Sequence, residues 1–269
     1  MADIVGFAVA WIVTSALGEL GVSAVRRGSI YYYTASNQAL DGESAFGFIL
    51  MMLVPVVAFI VVMLLYNMIR FRARGKEIVR SHVQFYTNKT FVTVWIAISV
   101  VVNLLFYLHP TASALEQMFN GEEARYNRQD LIVNVTARQW QWLFNYPQYN
   151  ITQAADANGN SVMFLPADRT IKFVLRSYDP FHTYDANAGV IHGFWVPAFG
   201  LKQDIIPGET RYLYIHTNKI TSYDVNPMVR VQCTEVCGPG HPFMEAPVHV
   251  VSARDFQKWI VSQQKQQQS

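Results

Sequence analysis

Between Phe46 and Tyr66 the chain runs for 21 residues without a charge. At ~1.5 Å of rise per residue, a helix of that length covers the ~30 Å hydrocarbon core of a bilayer. A lone segment satisfies all its backbone N–H and C=O groups in lipid only as a helix, so a transmembrane helix over about 46–69 is expected. Pro55 lies inside it, where a neighbouring helix has to meet the polar groups that proline frees. A second span, about 90–108, follows from the Val- and Ile-rich run Phe91–Leu108, which His109-Pro110 brings to a stop. The first apolar run, Ile4–Gly18, is shorter and is followed by Glu19. Secretory signals open on cationic residues, whereas Met1-Ala2-Asp3 is acidic, so a retained third helix over about 4–25 is expected, with a cleaved signal as the alternative.

The loop between the two strong spans carries Arg70, Arg72, Arg74, Lys76, Arg80 and Lys89 against the single acid Glu77. In the loop before them, Arg26 and Arg27 are balanced by Asp41 and Glu43. The positive-inside rule makes the 70–90 loop cytoplasmic and sends everything after Pro110 to the outer or periplasmic face of a cell (inner) membrane. The flanking spans account for the arginine cluster, so lipid is an expected partner and nucleic acid is not.

After Pro110 the pattern changes. Leu131–Thr136, Ile171–Leu175, Arg211–His216 and Ala246–Val251 are short and rich in branched or aromatic residues, and turn signals at Asp156–Gly159, Pro166–Asp168 and Pro207-Gly208 separate them. Such spacing implies a β-sandwich or barrel. The expected organisation is a transmembrane anchor over 1–110, an all-β domain over 111–262 and a disordered polar tail over 263–269.

Both cysteines, Cys233 and Cys237, fall within twelve residues of His241 and Met244. Thiolate, imidazole and thioether together favour copper used for electron transfer. Two other readings stand beside it. A disulfide suits an outer face, although a bridge across so few residues restrains little chain and leaves His241 and Met244 unexplained. A zinc site would use the cysteines and two histidines, but their spacing is wider than usual and zinc has no use for methionine.

The stretch Cys233-x-Glu235-x-Cys237-Gly-x-x-His241-x-x-Met244 resembles the binuclear CuA motif of cytochrome c oxidase subunit 2. Val190-Ile191-His192-Gly193-Phe194-Trp195-Val196-Pro197 is similar to the segment that supplies that family's other histidine, and Phe199–Gly208 continues the pattern. Arg138-Gln139-Trp140-Gln141-Trp142 resembles the aromatic segment ahead of the copper loops. The likeness covers roughly residues 45–260 and implies a membrane-anchored, cupredoxin-like Greek-key β-barrel. It implies that Cys233 and Cys237 bridge two copper ions, that His192 and His241 bind one each, and that Met244 and the Glu235 main-chain carbonyl complete the set. It further implies that the Glu235 side chain reaches a magnesium shared with the catalytic subunit, that Lys202 and Asp204 lie at that contact, and that electrons come in at Trp140. A Gln-Trp-Gln-Trp alternation is also what a half-buried strand looks like. His182, His216 and His249 match no motif and are read as ordinary surface or core residues.

The function so implied is the electron-input subunit of a proton-translocating terminal respiratory oxidase. It would take electrons from cytochrome c or a similar donor and pass them to haem in catalytic subunit 1, with subunit 3 alongside; this chain would do no oxygen chemistry. Alternatives are a CuA-bearing subunit of a nitric oxide reductase and a non-enzymatic copper-binding module. No Cys-x-x-Cys-His occurs, so no haem is expected on this chain. The family commonly has a Glu three residues before the tryptophan of its last membrane helix and a Pro four after it; around Trp95 those positions hold Val92 and Ser99, which leaves one proton route in doubt. Extra sequence at Tyr178–Ala188 precedes His192. Residues 111–269 carry 13 Lys and Arg against 14 Asp and Glu, a formal charge of −1, so a strongly basic donor gains little steering.

Overall fold

Apolar helix-formers and short β-branched runs sort into two compact units in the computed structural model, which describes residues 2–27, 33–72, 75, 88–108, 112–116, 130–178 and 189–268. One unit comprises residues 1–31 and 44–114, the other residues 32–43 and 115–269. The boundary expected near 110 therefore has an addition, because the polar stretch 32–43 belongs with the β-rich unit.

In the helical unit, α1 (Ala2–Arg27), α2 (Asn37–Arg70) and α3 (Lys89–Phe106) are each long and apolar enough to cross a membrane. Helix α1 packs on α2. The Trp11 indole N–H donates to the Pro55 carbonyl at 2.8 Å, and Phe7 meets Phe59 edge-on at 5.4 Å between ring centroids. Asp3 and Arg70 pair at 2.8 Å, so the N-terminus of α1 and the C-terminus of α2 share one end. The exposed pair contributes little stability. Asn88 caps α3, its side chain accepting the Phe91 N–H at 3.0 Å. A short helix, α4, covers Ala112–Glu116. Arg74, Lys76, Glu77 and Arg80, which carry much of the orientation argument, lie outside the described residues.

Helix α2 starts nine residues before its apolar run because Ser36 caps it. The Ser36 hydroxyl accepts the Ala39 N–H at 3.1 Å and donates to the Phe199 carbonyl at 2.8 Å. Gln38 accepts the His216 N–H and Asn37 the Asn218 amide, which ties this turn into the β-rich unit.

That unit is a sandwich of two sheets. The first has the order β2 (Gln141–Asn145), β1 (Leu131–Arg138), β4 (Arg169–Ser177), β7 (Arg211–Thr217); β1 and β4 run parallel, and the other pairs run antiparallel. The second has the order β3 (Met163–Pro166), β10 (Glu245–Val251), β9 (Arg230–Cys233), β5 (His192–Trp195), β6 (Lys202–Ile205), with β8 (Thr221–Ser222) also on β10. A parallel pair in each sheet requires crossovers between sheets, which is the cupredoxin-like arrangement expected for this domain. Alternation sets the core: Leu131, Val133, Val135 and Ala137 of β1 face inward against Ile171, Phe173 and Leu175 of β4 and Val248 and Val250 of β10. Gly208, at φ 81°, occupies the left-handed region in the turn ahead of β7.

Helix α5 (Ala253–Gln266) corrects the expectation of a disordered tail from 263. Ser252 caps it by accepting the Asp255 N–H, while Phe256 and Ile260 are buried. The glutamines satisfy backbone: Gln263 bonds both the N–H and the C=O of Ala155, and Gln264 donates to the Tyr149 carbonyl. A polar composition reads as disorder only when those amides have no backbone to bind.

Candidate metal centre

Two strand ends build the site. His192 opens β5, Cys233 closes β9, and these strands pair with Phe194 opposite Cys233. The chain then loops through Cys237 and a single 3-10 turn at His241–Phe243 to Met244, just before β10. Close approach of β5 to the loop depends on Gly193, because a Cβ there would collide with Thr234 Oγ1 and lie 3.2 Å from the Glu235 N.

Cys233 Sγ lies 3.8 Å from Cys237 Sγ, 3.7 Å from His192 Nδ1 and 3.3 Å from the Glu235 carbonyl oxygen. Cys237 Sγ lies 3.6 Å from His241 Nδ1 and 3.8 Å from Met244 Sδ. The sulfurs stand far beyond the ~2.05 Å of a disulfide and act as two separate donors. Donors sharing one tetrahedral ion, with sulfur at ~2.3 Å and nitrogen at ~2.0 Å, stand about 3.5–3.8 Å apart. Every separation except the carbonyl contact falls in that range, so the donors fit metal ligation without rearrangement. His192, Cys233 and Cys237 are all buried, with ligand atoms within 4.8 Å of one another. Three sulfurs, two imidazoles and a carbonyl exceed the four positions of a structural zinc site and suit a softer ion.

Burial sets the protonation. It pushes the Cys237 thiol up to about 12, reinforced by Cys233, and brings His192 down to about 4, with His241 adding to the effect. The His192 imidazole is therefore presented as a neutral ligand, and a bound cation must displace the Cys237 thiol proton, so affinity rises with pH.

The hairpin between β1 and β2 braces these loops. Gln139 Nε2 donates to the Cys237 carbonyl at 2.7 Å, and Trp140 Nε1 donates to the same oxygen at 3.2 Å. Trp140 is 42% exposed, and its indole lies against Gly238 and Gly240: a Cβ at Gly240 would overlap the ring, and one at Gly238 would sit 3.1 Å from it. Trp142 Nε1 donates to the Met244 carbonyl at 3.2 Å. The two tryptophans differ: Trp140 sits in the turn and Trp142 is buried in β2, so the alternation of a single strand does not describe both. Sequence reasoning missed Gln139, Trp142 and the three glycines; the Gln-Trp-Gln-Trp repeat was the available signal for the first two.

Glu235 is half-buried, and Lys202 and Asp204 are exposed on β6, where Asp204 stands opposite Gly193 in register. His216 shares a hydrogen bond with Thr170, and His249 stacks on Phe164 at 4.6 Å, which are structural roles. His182, like most of the extra sequence before His192, lies outside the described residues.

Fold and site together define a membrane-anchored β-sandwich protein with a buried cluster of sulfur and imidazole donors. Residues 131–252 match the family described as cytochrome c oxidase subunit II, periplasmic domain. That match spans a little under half of the chain, and the likeness to relatives of that name extends over most of it. It is 27% identical over 238 residues to a probable cytochrome c oxidase subunit 2 of Rickettsia bellii, covering 81% of this chain and 77% of the relative. It is also 27% identical to cytochrome c oxidase subunit 2 of Bacillus subtilis, covering 74% of this chain and 52% of the relative, so the match spans about half of that protein's length. Among solved structures, the periplasmic domain of subunit II of cytochrome oxidase (CoxB) of Bradyrhizobium japonicum is 27% identical, with a TM-score of 0.41, covering 52% of this chain and 97% of the domain.

Proposed function

We propose that this chain is the electron-input subunit of a terminal haem-copper oxidase, carrying a binuclear copper centre on the outer face of a cell membrane. The observation that supports it most is the chain of donors His192, Cys233, Cys237, His241 and Met244, linked by neighbour separations of 3.6–3.8 Å and buried except for the half-buried His241, in a domain that matches the subunit II family. His192 and His241 would each hold one copper and Cys233 and Cys237 would be shared. Met244 would complete one ion, and the Glu235 carbonyl the other. A bound copper pair would supply one-electron redox chemistry with the charge spread over both metals and both sulfurs. The chain contributes rigidity: strand pairing fixes Phe194 against Cys233, the hairpin fixes the Cys237 and Met244 carbonyls, and ligands held this firmly shift little when charge changes.

Trp140 offers an external donor an aromatic surface continuous with the ligand loop. Cytochrome c or a similar protein is the proposed donor, with docking that leans little on net charge. Glu235 is a hard oxygen donor suited to a magnesium ion at the proposed contact with catalytic subunit 1, where Lys202 and Asp204 would also lie, and subunit 3 completes the proposed assembly. Oxygen reduction takes place in the partner.

Copper analysis with electron paramagnetic resonance on the full chain in detergent tests this reading. Two coppers per chain, with the hyperfine pattern of one electron shared over two nuclei, are expected; zinc, or a single-copper pattern, sinks it. Substitution Gly240→Ala should force the Trp140 ring off its ligand loop. Stopped-flow mixing with reduced donor then shows electron uptake at least about tenfold slower at unchanged copper content, as misplacement of a coupled group by ~1 Å costs of that order or more.

A further inference from the structure

The Met244 carbonyl accepts two N–H groups of different origin. One is the Cys233 amide at 3.1 Å, which links the two ligand segments to each other. The other is the Trp142 indole at 3.2 Å, which comes from β2 in the opposite sheet. Trp142 and Met244 are each 1% exposed, so neither group has water as an alternative partner. The indole cannot swing, because its ring stands edge-on to Phe194 at 5.9 Å and lies 6.4 Å from the His192 ring. Phe194 pairs with Cys233 in turn. One side chain thus touches the residues around three ligands and fixes the backbone from which the Met244 thioether extends toward Cys237, 3.8 Å away.

We infer that Trp142 is a positioning residue that sets how closely the Met244 sulfur approaches the metal, and thereby tunes the reduction potential of the centre. The inference rests on the copper reading above. Its physical basis is that a weak thioether ligand tunes potential through its distance, and that groups bonded to ligand residues set that distance. A buried tryptophan that merely satisfied its N–H on a convenient carbonyl would act on stability alone.

The test replaces Trp142 in the full chain by phenylalanine, which keeps an aromatic ring, and separately by 3-benzothienylalanine, which keeps the shape and loses only the N–H. Redox titration of the copper-loaded chain is expected to show a higher potential for both, at parent copper content, because a thioether that drifts away stabilises the oxidised state less. In a Met244→Leu background neither replacement should move the potential further, since the ligand through which Trp142 acts is gone. An unchanged potential in the benzothienyl variant overturns the inference, as does an equal shift with and without Met244. Hydrogen exchange on the metal-free chain provides an independent reading: loss of the indole N–H should speed exchange of the Cys233 amide, which shares the Met244 carbonyl. Were the parent to bind no copper, the copper reading would fail on its own, while unchanged Cys233 exchange would still overturn the positioning role.

Discussion

Substitution Cys237→Ser is expected to eliminate the two-copper signature altogether. Cys237 Sγ is the hub of the site, within 3.8 Å of Cys233 Sγ, His241 Nδ1 and Met244 Sδ. A serine hydroxyl is a harder donor on a shorter bond, ill matched to copper and unable to bridge two ions as a thiolate does. Any copper that remains should therefore be a single ion held from the His192 and Cys233 side. The fold should persist, because the buried hydroxyl costs about 1–3 kcal/mol if it finds no partner, less than a domain of this size can lose. Metal analysis with paramagnetic resonance, alongside far-ultraviolet circular dichroism, separates the two effects. The substitution His216→Gln is the control: its ring bonds Thr170 in the first sheet, and the variant should keep the parent copper content. Retention of the dinuclear pattern in Cys237→Ser would refute the ligand assignment.

The site was legible in the sequence to the extent that its chemistry is carried by residue type. Sulfur and imidazole donors at Cys233, Cys237, His241 and Met244 are rare enough together to announce themselves, and the strands at Leu131–Thr136, Ile171–Leu175, Arg211–His216 and Ala246–Val251 were marked by branched residues between turns. What stayed hidden depends on contacts between distant segments. The cap at Ser36 looks like any loop serine until Phe199 is brought beside it, 163 positions along the chain. The terminal glutamines look disordered until the 149–155 loop offers them backbone to bind. Trp142 and Trp140 differ by two positions and share a motif, yet one is buried against Met244 and the other half-exposed over two glycines, because Trp140 falls in the hairpin turn and Trp142 in the strand that leaves it. No pattern along one strand reports that difference.

Glycine 193 carries the second large effect. It is the residue after His192, paired across to Asp204 and bonded through its carbonyl to the Thr234 amide at 3.1 Å, so it joins the strand of His192 to the loop that carries the other proposed ligands. A methyl group here overlaps Thr234 Oγ1 and sits 3.2 Å from the Thr234 Cβ and the Glu235 N, both part of the loop between Cys233 and Cys237. Neither side can yield cheaply. Substitution Gly193→Ala should separate β5 from the loop and cost about 1–3 kcal/mol of stability, the usual range for an overpacked core. Because His192 is its neighbour, the 3.7 Å approach to Cys233 should widen with it, and copper affinity should fall at least about tenfold, as for a lost supporting contact. The remedy identifies the cause. Thr234 Oγ1 is buried with no hydrogen-bond partner among the described residues, so Thr234→Ala sacrifices no bond seen there and removes the atom that collides. The double variant Gly193→Ala, Thr234→Ala should therefore recover most of the lost affinity and stability, a coupling read by competitive copper titration and denaturant unfolding of all four chains. Additive losses would mean that the strain lies with the Glu235 backbone instead, and the close passage of β5 under the ligand loop would then be fixed by main chain alone.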